Sequence, residues 1–226
     1  MSGFSAGWLT LREPYDLAAR NATVLDAVAS AFLDQTAISV VDLACGTGST
    51  LRAVGPHLPP RQNWRLVDNN LSLLAQVARP PGLPQLNVVT RPVDLARDLE
   101  LALDGPLDLV TASALLDLVS AEWLDRLIIE AAARRLPVYA ALSYDGRTVT
   151  DPAAVFDAEL LAGFNLHQRT DKGFALRSGR ARQRGPCSDS STSGTRSCRD
   201  ARIGCSGPTI GPFRKRCSPI GRGWER

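Results

Sequence analysis

The period of the hydrophobic positions changes along the chain, and each change marks an element. Between Arg12 and Gln35 the apolar residues Leu17, Val24, Leu25, Val28, Ala29 and Phe32 recur at helical spacing, with no Gly or Pro after Pro14. That spacing predicts one or two helices. Short apolar runs then alternate with helical stretches. The runs predict strands over Ile38–Ala44, Trp64–Val67, Leu86–Thr90, Leu107–Ala112 and Val138–Ser143. Between them, helices are predicted over Ser49–Val54, Leu71–Ala78 and Ala121–Arg135. A further helix is predicted over Ala153–Gly163, opened by Asp151-Pro152 with Pro at its first position. Near-continuous apolar strands alternating with helices predict an α/β fold, a mostly parallel sheet with helices on both faces.

After Phe174 the pattern stops. Residues 175–226 contain 12 Lys and Arg against 3 Asp and Glu, no Val, and only Leu176, Ile203, Ile210 and Ile220 as branched aliphatics. The preceding 174 residues carry 14 and 20, so the formal net charge of +3 joins an acidic body of −6 to a basic tail of +9. Such a tail is expected to be disordered, since it buries too little apolar surface to offset its ordering entropy. Its Cys187, Cys198, Cys205 and Cys217 form no CxxC pair and no histidine follows Phe174, so no metal site is expected. The division predicts a domain over 1–174 and an Arg/Ser/Gly/Cys-rich appendage over 175–226. The simultaneous shift in charge, Cys and aliphatic content predicts a changed reading frame near Lys172–Arg177, with the C-terminal strands of the sheet missing. A tail rich in Arg is also what a nucleic-acid-binding arm requires, and it is the only segment suited to that partner.

At 226 residues the chain suits one catalytic-sized domain. No run of about 18 apolar residues suggests a membrane span, and the start lacks the basic and apolar regions of a secretory signal, so a cytoplasmic protein is expected.

The densest local chemistry lies in Val40-Val41-Asp42-Leu43-Ala44-Cys45-Gly46-Thr47-Gly48-Ser49, a buried strand turning through glycines into a helix. Such a turn lets backbone N–H groups approach a ligand where a side chain would obstruct it. Two ligand classes fit the spacing. A dinucleotide site calls for G-x-G-x-x-G, but Leu51 occupies the third glycine's place and Asp42 precedes the turn. Asp68 ends the second strand, 20 residues after Gly48, where an acid can hold a ribose diol or cap the next helix. Asp94 follows the third strand, with the same two options toward an adenine amino group or a cap. Cys45 reads either as a small buried filler or as a nucleophile, and no cationic neighbour in sequence favours the latter. Arg20 lies either on a solvated helix face or within reach of a ligand carboxylate.

Asp42-Leu43-Ala44-Cys45-Gly46-Thr47-Gly48 resembles the first motif of the class I S-adenosylmethionine-dependent methyltransferases. Val67-Asp68-Asn69-Asn70 is similar to the second motif, and Leu107 to Leu116 to the fourth, the resemblance spanning roughly Arg20 to Phe174. It implies a Rossmann-like fold with S-adenosyl-L-methionine as cofactor. It further implies Asp42, Ala44, Gly46 and Gly48 around the methionine part, Asp68 with Asn69 at the ribose, Asp94 at the adenine, and Ser113 and Ala114 lining the cavity. Arg20 joins this set as a candidate for the carboxylate.

A sulfonium methyl is already activated, so transfer needs chiefly in-line positioning, a dry cavity and sometimes a base. Asp117, just past the fourth strand, is a candidate base or a cap near Ser120. Tyr144 follows the fifth strand at the same sheet end. His167 falls in a polar stretch, Phe164–Phe174, expected to be a loop over the acceptor pocket. The acceptor is unspecified, a small molecule being favoured over a protein group. The competing readings are a catalytically impaired relic and a nucleic-acid-binding protein acting through its tail.

Overall fold

The computed structural model describes residues 4–149, 155–168, 170, 174, 195–200 and 203–208. Five parallel strands form its centre: β1 (Ala37–Leu43), β2 (Arg61–Asp68), β3 (Gln85–Pro92), β4 (Leu109–Ser113) and β5 (Val138–Ala141). Two further strands, β6 (Thr195–Asp200) and β7 (Ile203–Pro208), complete a sheet of order β3-β2-β1-β4-β5-β7-β6. The crossover from β3 back to β4 beside β1 leaves a crevice at the carboxyl ends of β1 and β4, where ligands of open α/β sheets bind.

Among the described residues the α-helices are α1 (Ala6–Ala18), α2 (Ala22–Ala31), α3 (Ser49–Val54), α4 (Leu71–Leu74), α5 (Leu99–Ala102), α6 (Ala121–Ala133) and α7 (Asp157–Gln168). Period-two alternation distributes the strand side chains between two cores. Val41 and Leu43 of β1, Val110 and Ala112 of β4 and Val138 of β5 join Trp123 and Leu127 of α6 on one face. Ile38 and Val40, Leu109, and Tyr139 and Ala141 pack with Leu25, Leu51 and Val54 on the other.

Several boundaries differ from the sequence pattern, each for a local reason. α1 begins at Ala6 rather than near Arg12, because the Ser5 hydroxyl caps it by accepting from the Trp8 N–H at 3.2 Å. Pro14 sits inside it on an exposed side. α4 stops at Leu74, and Gln76 and Val77 tighten onto carbonyls three residues back before Pro80-Pro81. α5 is too short for periodicity to announce. α7 runs to Gln168, so the expected loop from Phe164 is helical over its first five residues, while Arg169, Asp171 and Lys172 fall outside the described residues.

The expectation that the C-terminal strands are missing is corrected by β6 and β7. They pair antiparallel with each other, and β7 pairs antiparallel with β5, Tyr139 opposite Cys205. A ladder is made from backbone donors and acceptors that every non-proline residue carries, so a segment without an apolar strand pattern can still supply one. The remaining residues of 175–226, and with them the expectation of disorder, lie outside the described residues.

Candidate functional site

The turn after β1 is built from left-handed backbone. Ala44, Gly46 and Gly48 have φ of 55°, 56° and 85°. The Cys45 N–H donates to the Val67 carbonyl (2.9 Å) and the Gly46 N–H to Asp68 Oδ2 (2.9 Å), tying the turn to the end of β2. Two other strand ends show the same conformation, Ala114 after β4 (φ 52°) and Leu142 after β5 (φ 61°). Left-handed geometry costs a non-glycine residue about 1–2 kcal/mol. Its recurrence at three adjacent carboxyl ends marks the region where the fold stores strain, as functional sites do.

A helix covers the turn. Leu9 of α1 puts its Cδ1 3.1 Å from where a Cβ on Gly46 would lie. Arg52 of α3 donates to both oxygens of Glu13 (2.6 and 2.7 Å) and to the Thr47 carbonyl (2.7 Å), latching α1 across the loop. Gly46→Ala should therefore cost about 1–2 kcal/mol, because the new methyl is strained by the backbone and presses on Leu9. Urea unfolding measures that loss, and an unchanged midpoint would contradict it.

Beneath the turn, on the Ile38–Val40 face, lies a buried polar cluster. Asp42 is wholly buried, and its Oδ1 accepts from the Thr111 hydroxyl at 2.8 Å while Oδ2 has no hydrogen-bond partner. Arg20, 9% exposed between α1 and α2, donates from Nη1 to the Tyr139 hydroxyl (3.2 Å) and from Nη2 to Ser113 Oγ (3.1 Å), leaving Nε without a partner. Thr50 donates to the same Ser113 oxygen at 2.9 Å. Burial pushes the Asp42 carboxyl up to about 7, against the opposing pull of the Thr111 hydrogen bond, the Arg20 charge and the Thr50 hydroxyl, with Asp68 adding slightly to the rise. Burial, then the Asp42 and Asp68 charges, push the Cys45 thiol far up as well. A protonated, buried thiol is a filler, which decides the question about Cys45.

The structure gathers Arg20, Asp42, Ala44, Gly46, Gly48, Asp68, Ser113 and Ala114 at the carboxyl ends of β1, β2 and β4. Asp68 accepts from Gly46 and, through Oδ1, from the Asn70 N–H (2.9 Å), and Asn70 rather than Asp68 caps α4. Asn69 is exposed. Asp94 accepts from the Ala96 N–H at 3.0 Å and stands 3.8 Å from Arg97, and Asp98 rather than Asp94 lies at the N-cap of α5.

Asp117 is half-buried after β4, but Ser120, not Asp117, caps α6 by accepting from Trp123. Tyr144 donates to Asn165 of α7 at 3.1 Å and meets Phe164 edge-to-face. His167 lies in the last turn of α7, exposed beside Phe156, Leu160 and Phe164, and not in a loop. Thr50, Thr111 and Tyr139 were not singled out by sequence. Their only signal is a hydroxyl interrupting an apolar strand or helix face.

No protein-family model and no curated protein matches the chain. Solved structures do. An O-methyltransferase family protein from Burkholderia thailandensis is 20% identical at a TM-score of 0.51, with 91% of this chain and 59% of that chain covered. The chain has the Rossmann-like methyltransferase fold. A cyclopropane-fatty-acyl-phospholipid synthase-like protein from Lactobacillus casei is 21% identical, covering 66% of this chain and 55% of that one at 0.44. The magnesium protoporphyrin IX methyltransferase of Synechocystis, with bound S-adenosylmethionine, is 16% identical, covering 71% and 80% at 0.43. The chain thus spans less than two thirds of the length of the first two. Among the described residues no helix is long and apolar enough to cross a membrane.

Proposed function

We propose that this methyltransferase-fold chain is a class I S-adenosylmethionine-dependent methyltransferase. The observation that carries the proposal is the pair of unfilled, oppositely charged groups under the glycine turn. Arg20 Nε is a buried donor and Asp42 Oδ2 a buried acceptor, both without partners in the protein. A zwitterionic amino-acid end, carboxylate and ammonium together, complements that pair. The pyrophosphate of a dinucleotide does not, since it would face the Asp42 and Asp68 carboxylates. Leu51 adds support, being fully buried in the core where a dinucleotide fold calls for glycine.

In this reading Asp42, Ala44, Gly46 and Gly48 hold the methionine part. Asp68 and Asn69 take the ribose, Asp94 the adenine, and Ser113 and Ala114 the adjoining wall. Asp68 already accepts two backbone N–H groups, but a carboxylate offers about four lone pairs and retains capacity for a diol. The cofactor supplies an activated methyl. The protein's part is to orient it, exclude water and present the acceptor, with Asp117, Tyr144 and His167 as candidate acceptor-side groups. Asp117 and Tyr144 are half-buried at the strand ends, which favours an acceptor small enough to reach them. We propose that the protein works in the cytoplasm.

Calorimetric titration tests the proposal. S-adenosylhomocysteine should bind and NAD⁺ should not. Binding of NAD⁺ alone, or of neither by folded protein, would overturn it.

A further inference from the structure

We infer that Tyr139 is a positioning residue that, with Ser113, holds Arg20 through neutral hydroxyls with its Nε–H free for the carboxylate of the cofactor's amino-acid end. The inference rests on the cofactor reading above. Arg20 belongs to neither α1 nor α2 but to the short link between them, and its guanidinium reaches β5, 119 residues along the chain. A buried arginine ordinarily finds a carboxylate, because desolvating an unpaired charge is unfavourable. Among the described residues no carboxylate lies within ion-pair distance of Arg20. Its two bonded partners are neutral hydroxyls, Tyr139 Oη at 3.2 Å and Ser113 Oγ at 3.1 Å.

Neutral partners fix the direction of the guanidinium without cancelling its charge. The planar fork offers five N–H donors in fixed directions, so bonding both terminal nitrogens determines where Nε–H points. That third nitrogen is buried and has no partner. The Tyr139 ring adds a second restraint, its centroid 5.9 Å from the guanidinium carbon. Tyr139 can do this because it is itself immobile. It is 1% exposed and paired opposite Thr111 of β4, so the hydroxyl is delivered by the rigid centre of the sheet rather than by a loop. An acidic residue in its place would neutralise Arg20, and an apolar one would leave the fork free to rotate.

The test compares two ligands that differ in the amino-acid end. S-adenosylhomocysteine carries the carboxylate; 5′-methylthioadenosine keeps the adenosine and thioether and lacks it. Calorimetric titration of the full chain should show that Tyr139→Phe weakens S-adenosylhomocysteine about tenfold, as expected for a misaligned charge-assisted hydrogen bond. Binding of 5′-methylthioadenosine, which lacks the ammonium as well, should change less than about twofold, and Arg20→Gln should narrow the preference between the two ligands at least tenfold, leaving the part that the ammonium owes to Asp42. Tyr139→Leu, which removes the same hydroxyl and the ring with it, should reproduce the pattern and serves if Tyr139→Phe unfolds. A structural role alone would weaken both ligands in parallel, and that result overturns the inference. So does a wild-type chain that binds both ligands with Tyr139→Phe unchanged. A folded wild type that binds neither overturns the cofactor reading itself, and the inference with it.

Discussion

Asp42→Asn is expected to make the protein more stable at pH 8 by roughly 4 kcal/mol while greatly weakening its hold on the amino-acid end of the cofactor. The carboxyl titrates near 3.8 in the unfolded chain and near 7 in the folded one, because burial penalises its charge. Below pH 4 both states carry the proton and the group is neutral toward folding. As the pH rises from about 4 to 7 the unfolded chain releases its proton first, so the wild type loses stability at about 1.36 kcal/mol per unit of the shift. Asparagine has no proton to release and, like the acid, can pair with the Thr111 hydroxyl. Urea unfolding of both proteins at pH 4.5 and pH 8 measures the effect. The difference should be only about 1 kcal/mol at the lower pH and grow to about 4 at the higher, and a constant difference would refute the cause. A charge kept in the core against its own stability is the pattern of a group retained for binding.

Asp68→Ala should lower the affinity for S-adenosylhomocysteine by about a hundredfold, since hydrogen bonds to a charged acceptor contribute about 1.5–3 kcal/mol each. The same change removes the acceptor of the Gly46 and Asn70 N–H groups, so stability should fall by about 1–2 kcal/mol as well. The two losses are separable. Titration at saturating folded fraction reports the first, and thermal unfolding without ligand reports the second. If affinity stays within about threefold of wild type while stability falls, Asp68 only ties the turn to β2, and its ribose role is refuted.

The stretches easiest to read in sequence were those whose burial is decided locally. Val40 to Leu43 is apolar apart from Asp42, short and followed by glycines, and β1 lies at Ala37–Leu43. Ser49–Val54 is a helix with the bounds its pattern predicts. Boundaries governed by a single hydrogen bond were less legible. The Ser5 cap that starts α1 and the tightening at Gln76 and Val77 that ends α4 involve one or two groups each, too few to alter a periodicity. β6 and β7 were illegible for another reason, since their pairing with β5 uses main-chain groups and leaves no apolar signature in Thr195–Asp200.

The candidate site divides in the same way. The turn with its Gly46 and Gly48, the acid before it and the acids that follow are legible because left-handed backbone favours glycine and strand ends favour few residue types. The sequence by itself therefore determined the fold class and the place of the glycine turn with the acids around it. What only the tertiary structure decided is the electrostatics beneath them. Arg20 and Tyr139 lie 119 residues apart, and Asp42 and Thr111 lie 69 apart, so no spacing rule connects them. They meet because parallel pairing of β1 with β4 and of β4 with β5 stacks Asp42, Thr111 and Tyr139 in one row of the sheet. Burial there makes Asp42 a reluctant carboxylate and leaves Arg20 with neutral partners, and burial is a property of the assembled sheet rather than of any segment of the chain.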